Sequence, residues 1–188
     1  MPGYMLDTAA VNKFLFFVSS RITKSGGIRL EQHPVATQGK TFLNIDDLVY
    51  LERQVRTNFT AGSVIAVHVL VCNARFTDSL IFALSYWNTS ICLFGKNIDD
   101  NSGGNGQVTR SNLLSALLQH EFGHLMGLVG QGSALQSSHR DFSNGAHCNN
   151  PDCLMFYGVE TASNLGMPNH IPSLDTNCIN DLKANGGK

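Results

Sequence analysis

His120-Glu121-Phe122-Gly123-His124-Leu125-Met126-Gly127 sets two histidines four residues apart, with a glutamate beside the first and a glycine beyond the second. On a helix, His120 and His124 stand on one face, one turn from each other. Two imidazoles at that spacing can share one metal ion at the ~2.0–2.1 Å that zinc–nitrogen bonds require. Glu121, next to the first histidine, is placed to take a proton from a metal-bound water as general base. Gly127 can adopt a left-handed conformation and turn the chain, so that a third ligand arrives from beyond the helix.

The helix carrying these residues is expected over 109–127, with Leu114, Leu118 and Leu125 facing the core and the histidines facing away. Upstream, Leu6, Ala10, Phe14 and Ile22 recur at helical spacing across 6–22, and Gly26-Gly27 ends the run. Residues 28–33 alternate like a strand, and 45–58 read as a second helix capped by Asn44. The β-branched run 63–72 suits a central strand buried on both faces. Two further apolar runs, 80–86 and 89–95, flank a turn at Trp87-Asn88, and 99–106 is a loop by composition. Beyond Gly127 the chain is polar and loop-rich to about 172, where Ser173 is expected to cap a short last helix ending near Gly186.

This order predicts an α+β fold in a single domain, 1–188. Its upper subdomain, 1–127, is α/β in type, a mixed twisted sheet with the active-site helix. Its lower subdomain, 128–188, is loop-rich and ends in a helix, with a cleft between the two.

Length and composition bound the reading. The 188 residues suffice for a real core, and 43% hydrophobic with 14% charged residues describes a lightly charged globular chain. A net charge of −1 gives no electrostatic footprint for nucleic acid. The longest apolar run, 14–18, is far too short to span a bilayer. No signal peptide is visible at Met1, and the expectation is an exported or cell-envelope protein whose leader has been removed, with a cytoplasmic one as alternative. The cysteines, Cys72, Cys92, Cys148, Cys153 and Cys178, are odd in number, so a monomer keeps at least one thiol unpaired. Cys72 and Cys92 sit in apolar strands and read as buried small hydrophobes.

With Gly127 included, the helix resembles the metzincin metalloproteases, whose signature runs H-E-x-x-H-x-x-G-x-x-H and is followed by a Met-turn. Position 130 of this chain is Gly130, which has no side chain to offer a metal. Further on, His147-Cys148-Asn149-Asn150-Pro151-Asp152-Cys153-Leu154-Met155 resembles the archaemetzincin pattern of third His, paired Cys and Met-turn Met. The resemblance implies His120, His124 and His147 as catalytic metal ligands and Met155 as the Met-turn residue. Between Gly127 and His147 lie 19 residues where the compact motif has two, an insertion that is polar and Ser/Gly-rich and able to loop out. His139 is the alternative third ligand, and Asp141 can orient a ligand imidazole by accepting its other N–H.

The resemblance further implies a zinc-dependent endopeptidase acting on peptide or protein substrate as a monomer, through a metal-activated water with Glu121 as base. Tyr157, two residues past Met155, matches the Met-x-Tyr tyrosine of astacins and serralysins, which sits beside the zinc and can steady the reaction oxyanion. Leu80–Tyr86 is expected as the edge strand that receives substrate, and 156–165 as the wall of its pocket. A second, structural zinc is implied at Cys148, Cys153 and Cys178, with Asp175 where the family has its fourth cysteine; the rival is a Cys148–Cys153 disulfide. The alternative function is a zinc-binding, non-proteolytic or latent module of the same type.

Overall fold

The computed structural model describes residues 4–36, 39–159 and 171–188 and is a mixed α+β fold with small twisted sheets. The elements in order are α1 (Thr8–Arg21), β1 (Phe42–Leu43), α2 (Ile45–Val55), β2 (His68–Cys72), β3 (Arg75–Phe76), β4 (Ala83–Tyr86), β5 (Ser90–Phe94), α3 (Gly95–Asp100), α4 (Arg110–Leu125), β6 (Arg140–Asp141), β7 (His147–Cys148) and α5 (Thr176–Ala184). Among the described residues, no helix is long and apolar enough to cross a membrane.

The main sheet has the order β2-β5-β4, with β2 parallel and β4 antiparallel to β5. Alternation along β5 explains its complete burial. Ile91 and Leu93 face the core shared with α1 and α4, while Cys92 and Phe94 face a second core with Leu48 and Leu51 of α2. The apolar run 63–72 therefore yields an edge strand, not the central one, because the later run 90–94 takes the middle. Residues 28–33 form no strand. Their alternation finds no neighbouring strand to pair with among the described residues, and Ile28 is exposed. Asp99 and Asp100 belong to α3 and not to the expected loop.

Caps set the helix ends. Asp7 accepts the Ala10 N–H at the start of α1, and its other carboxylate oxygen accepts the Ser111 hydroxyl, tying α1 to α4. Asn44 and Asp47 form a reciprocal capping box on α2, as the position of Asn44 predicts. For the last helix the cap is Asp175, whose carboxylate accepts the Cys178 N–H. Ser173 lies before the helix and instead bridges Cys153.

Helix α4 departs from a one-sided amphipathic pattern, since every residue from Asn112 to Gly123 is buried. It packs on α1, where Phe14 and Phe122 meet edge to face at 5.4 Å, and under β4 and β5. Several of its polar residues find partners inside: Gln119 donates to the Ser115 hydroxyl at 2.7 Å, and Lys13 donates to Asn112.

Candidate metal centre

Helix α4 ends at Leu125 and the chain reverses at once. Gly127 has φ +84°, and a side chain there would strike the Ser133 N at 2.7 Å. Val129 follows at φ 53°, a left-handed conformation that costs a β-branched residue roughly 1–2 kcal/mol. The reversal is closed by Ser133 N–H donating to the Gly127 carbonyl at 2.8 Å. The chain then passes through 131–146 and returns as β7, which brings His147 back to the helix.

His120, His124 and His147 converge, with ring nitrogens all within 4.8 Å of one another. The ring centroids are 4.8, 5.3 and 5.2 Å apart, a nearly equilateral arrangement. His120 and His124 Nε2 lie 3.1 Å apart; two ligands of one tetrahedral zinc sit roughly 3.3 Å apart. The outer nitrogens are held by carbonyls. His120 Nδ1 donates to the Leu154 carbonyl at 2.6 Å, and His147 Nδ1 donates to that of Asn144 at 2.5 Å. A carbonyl only accepts, so the proton of each neutral ring is on Nδ1 and the Nε2 lone pair faces inward. The donor set fits one divalent metal ion with a coordination position left over.

The Asn144 carbonyl is itself fixed by Asp141. That carboxylate accepts from the Ser143 N–H at 2.9 Å and the Asn144 side chain at 2.7 Å, and these bonds hold it below the usual carboxylate range. Asp141 thus acts on His147 through the turn and not by taking an imidazole N–H itself. His139 is not in the three-histidine group. It is buried elsewhere, with Nε2 2.7 Å from Asp181 and Nδ1 facing Cys148.

Glu121 is completely buried on α4, beside His120. Its charge reaches Cys92 on β5, where burial above all, with the neighbouring Cys72 and Glu121, pushes the thiol up. Met155 lies beneath the helix. A Cβ at Gly123 would meet its sulfur at 2.3 Å, so the middle glycine of His-Glu-Phe-Gly-His is the space the methionine occupies. The Met155 carbonyl accepts the Cys148 N–H at 2.7 Å, which locks this turn to the strand bearing His147. Gly123→Ala is expected to lower stability by about 1–3 kcal/mol through overpacking, against the ~1 kcal/mol that alanine gains in an open helix. Urea unfolding checks this, with Met155→Ala added in the same chain to recover part of the loss.

Tyr157 opens a short 3-10 turn after Met155, is partly exposed, and packs against Phe156 with ring centroids 4.5 Å apart. The expected pocket wall lies beyond the described residues from 160 to 165. All five cysteines are free and buried. Cys148, Cys153, Cys178 and Asp175 form a second group with ligand atoms within 4.8 Å. Within it the Cys153 thiol is pushed down because the Cys148 and Cys178 thiols hydrogen-bond to its sulfur, while those two are pushed up. Cys72 and Cys92 lie apart from both groups, their sulfurs 3.9 Å from each other between β2 and β5.

Sequence reasoning does not single out Gly123, Asn144, Leu154 or Asp181. Gly123 sits inside the motif, and a glycine in mid-helix is its signal. The Leu154 and Asn144 contributions come through main-chain carbonyls and leave no trace in residue type.

Compared with known proteins, the chain matches no family model, no curated protein and no solved structure.

Proposed function

We propose that this chain is a zinc-dependent endopeptidase of metzincin type. The observation that carries the reading is the convergence of three imidazoles, two of them held by carbonyls so that Nε2 points inward, beside a helical glutamate. Three neutral nitrogens with no carboxylate favour zinc over the oxygen-seeking magnesium and calcium, and leave one position for water. Zinc bound there would polarise a peptide carbonyl and acidify water. The protein's own part is then to place groups around that position. Glu121 takes a proton onto a carboxylate oxygen and delivers it to the leaving amine nitrogen. Strand β4, antiparallel to β5 and packed on α4, is the edge on which an extended peptide adds main-chain hydrogen bonds. Tyr157, from the turn after Met155, is assigned to the reaction oxyanion by its place in the sequence.

A zinc-binding but latent module is the second reading. It is favoured by burial, since His120 is 0% and His147 9% exposed.

The deciding experiment is metal analysis of the purified chain, followed by digestion of a diverse peptide library read by mass spectrometry. Cleavage is expected to vanish with a zinc chelator and return with added zinc. A chain that carries zinc at the histidines yet cuts nothing supports the latent module. A chain whose three histidines bind no zinc overturns both.

A further inference from the structure

We propose that the thiols of Cys148, Cys153 and Cys178 hold a structural zinc-class metal ion with His139, through Nδ1, as the fourth ligand, and that Asp175 serves as a helix cap. Three ligand-to-ligand distances fit a tetrahedral site of three sulfurs and one nitrogen. Cys153 and Cys178 sulfurs are 3.6 Å apart, and His139 Nδ1 lies 3.5 Å from the Cys148 sulfur and 3.9 Å from that of Cys178. A zinc with bonds of about 2.3 Å to sulfur and about 2.0 Å to nitrogen sets its ligands roughly 3.8 Å (sulfur to sulfur) and 3.5 Å (sulfur to nitrogen) apart.

Asp175 also lies within reach, at 3.5 Å from the Cys148 sulfur, but its oxygens are engaged elsewhere. Oδ1 accepts the Cys178 N–H at 2.9 Å as the N-cap of α5, and Oδ2 accepts from the Asn150 side chain at 3.0 Å. His139 is 1% exposed and arranged as a ligand. Its Nε2 donates to Asp181 Oδ2 at 2.7 Å, and Asp181, fully buried, takes the Gln136 N–H on its other oxygen. In the neutral ring the proton sits on Nε2 against Asp181, which leaves the Nδ1 lone pair on the side of the sulfurs for an ion. A buried carboxylate on the far nitrogen is the usual support of a ligating histidine. An imidazole also leaves one negative charge fewer on the ion and its ligands than a carboxylate would, and a buried net charge is costly. This gives the long segment before His147 a structural role, since it carries His139 to α5 and clamps the two together.

The site stands apart from peptide cleavage, so the test reads no activity. The chain, labelled with 15N-histidine and loaded with 113Cd under reducing conditions, is examined by NMR. A nitrogen–cadmium coupling on Nδ1 of His139 is expected. It should persist in Asp175→Asn, and His139→Cys should still bind the ion through four sulfurs. Asp181→Asn should weaken binding of this ion by about 10–100-fold. Cadmium bound at the thiols without coupling to His139 would overturn the proposal. So would loss of the ion in Asp175→Asn, or a thiol group that stays empty with Cys148 and Cys153 joined as a disulfide.

Discussion

Glu121→Gln is expected to keep its zinc and lose peptide cleavage, with kcat/KM falling by about 10²–10⁴-fold or more. The two halves of this outcome come from different atoms. The group that could hold the metal consists of His120, His124 and His147, and Glu121 gives it no ligand atom. Metal content should therefore stay at the wild-type level, whereas His124→Ala should lose it. Glutamine keeps the volume of a side chain that is fully buried on α4, so no cavity opens beneath the site. What it cannot do is accept a proton from water and hand it to an amine. If the loss were confined to KM with kcat intact, Glu121 would be a binding group and not the base. Wild-type cleavage by the variant would remove it from the chemistry altogether.

How much of this is legible in the sequence depends on the range of the interaction. His120 and His124 are one helical turn apart, so their pairing follows from local geometry. His147 and Met155 are reached through the cysteine pattern between them, and the structure brings His147 to the helix and Met155 beneath Gly123. In the sequence, His139 is a rival ligand for the same ion. Its buried partner, Asp181, lies 42 residues away, and nothing local announces a contact made across a loop and a helix. Strand order is hidden for a similar reason. The runs 63–72 and 90–94 are both apolar, and composition does not say which will have neighbours on both sides. The burial of α4 all round is masked by its polar residues, because Ser115 and Gln119 satisfy each other within the helix. Asp175 stands in the sequence where a cysteine is expected, and its cap geometry emerges only once α5 is seen to start at Thr176.

Arg56 escapes the sequence reading and carries the second large expected effect. It ends α2 and binds five acceptors in three parts of the chain. Its guanidinium meets Glu52 at 2.6 Å, the Ala66 carbonyl at 2.8 Å, the Asn58 carbonyl at 3.0 Å, Thr89 at 3.2 Å and Ser90 at 3.3 Å. The side chains of Arg56 and Glu52 are only 8% and 9% exposed. Removing one partner of a buried pair strands the other charge, so Arg56→Met is expected to cost about 3–5 kcal/mol. In thermal unfolding that is a fall in Tm on the order of 10 °C. The acid side of the stability curve reports the same pair. Burial pushes the Glu52 carboxyl up, but the hydrogen bonds from Arg56 and Ser90, with the Tyr86 hydroxyl nearby, outweigh it, and the net shift is downward. A carboxyl depressed in the folded state adds stability above its unfolded pKa and loses it as pH falls through the folded value. Wild type should therefore lose stability below about pH 4 more steeply than Glu52→Gln, which has no proton to take up there. The double variant Glu52→Leu/Arg56→Met should recover part of the single loss, since it leaves no stranded charge. A cost under about 1 kcal/mol for Arg56→Met would place the pair in water, as for surface ion pairs, and free α2 from its tie to β5 and to the segment before β2.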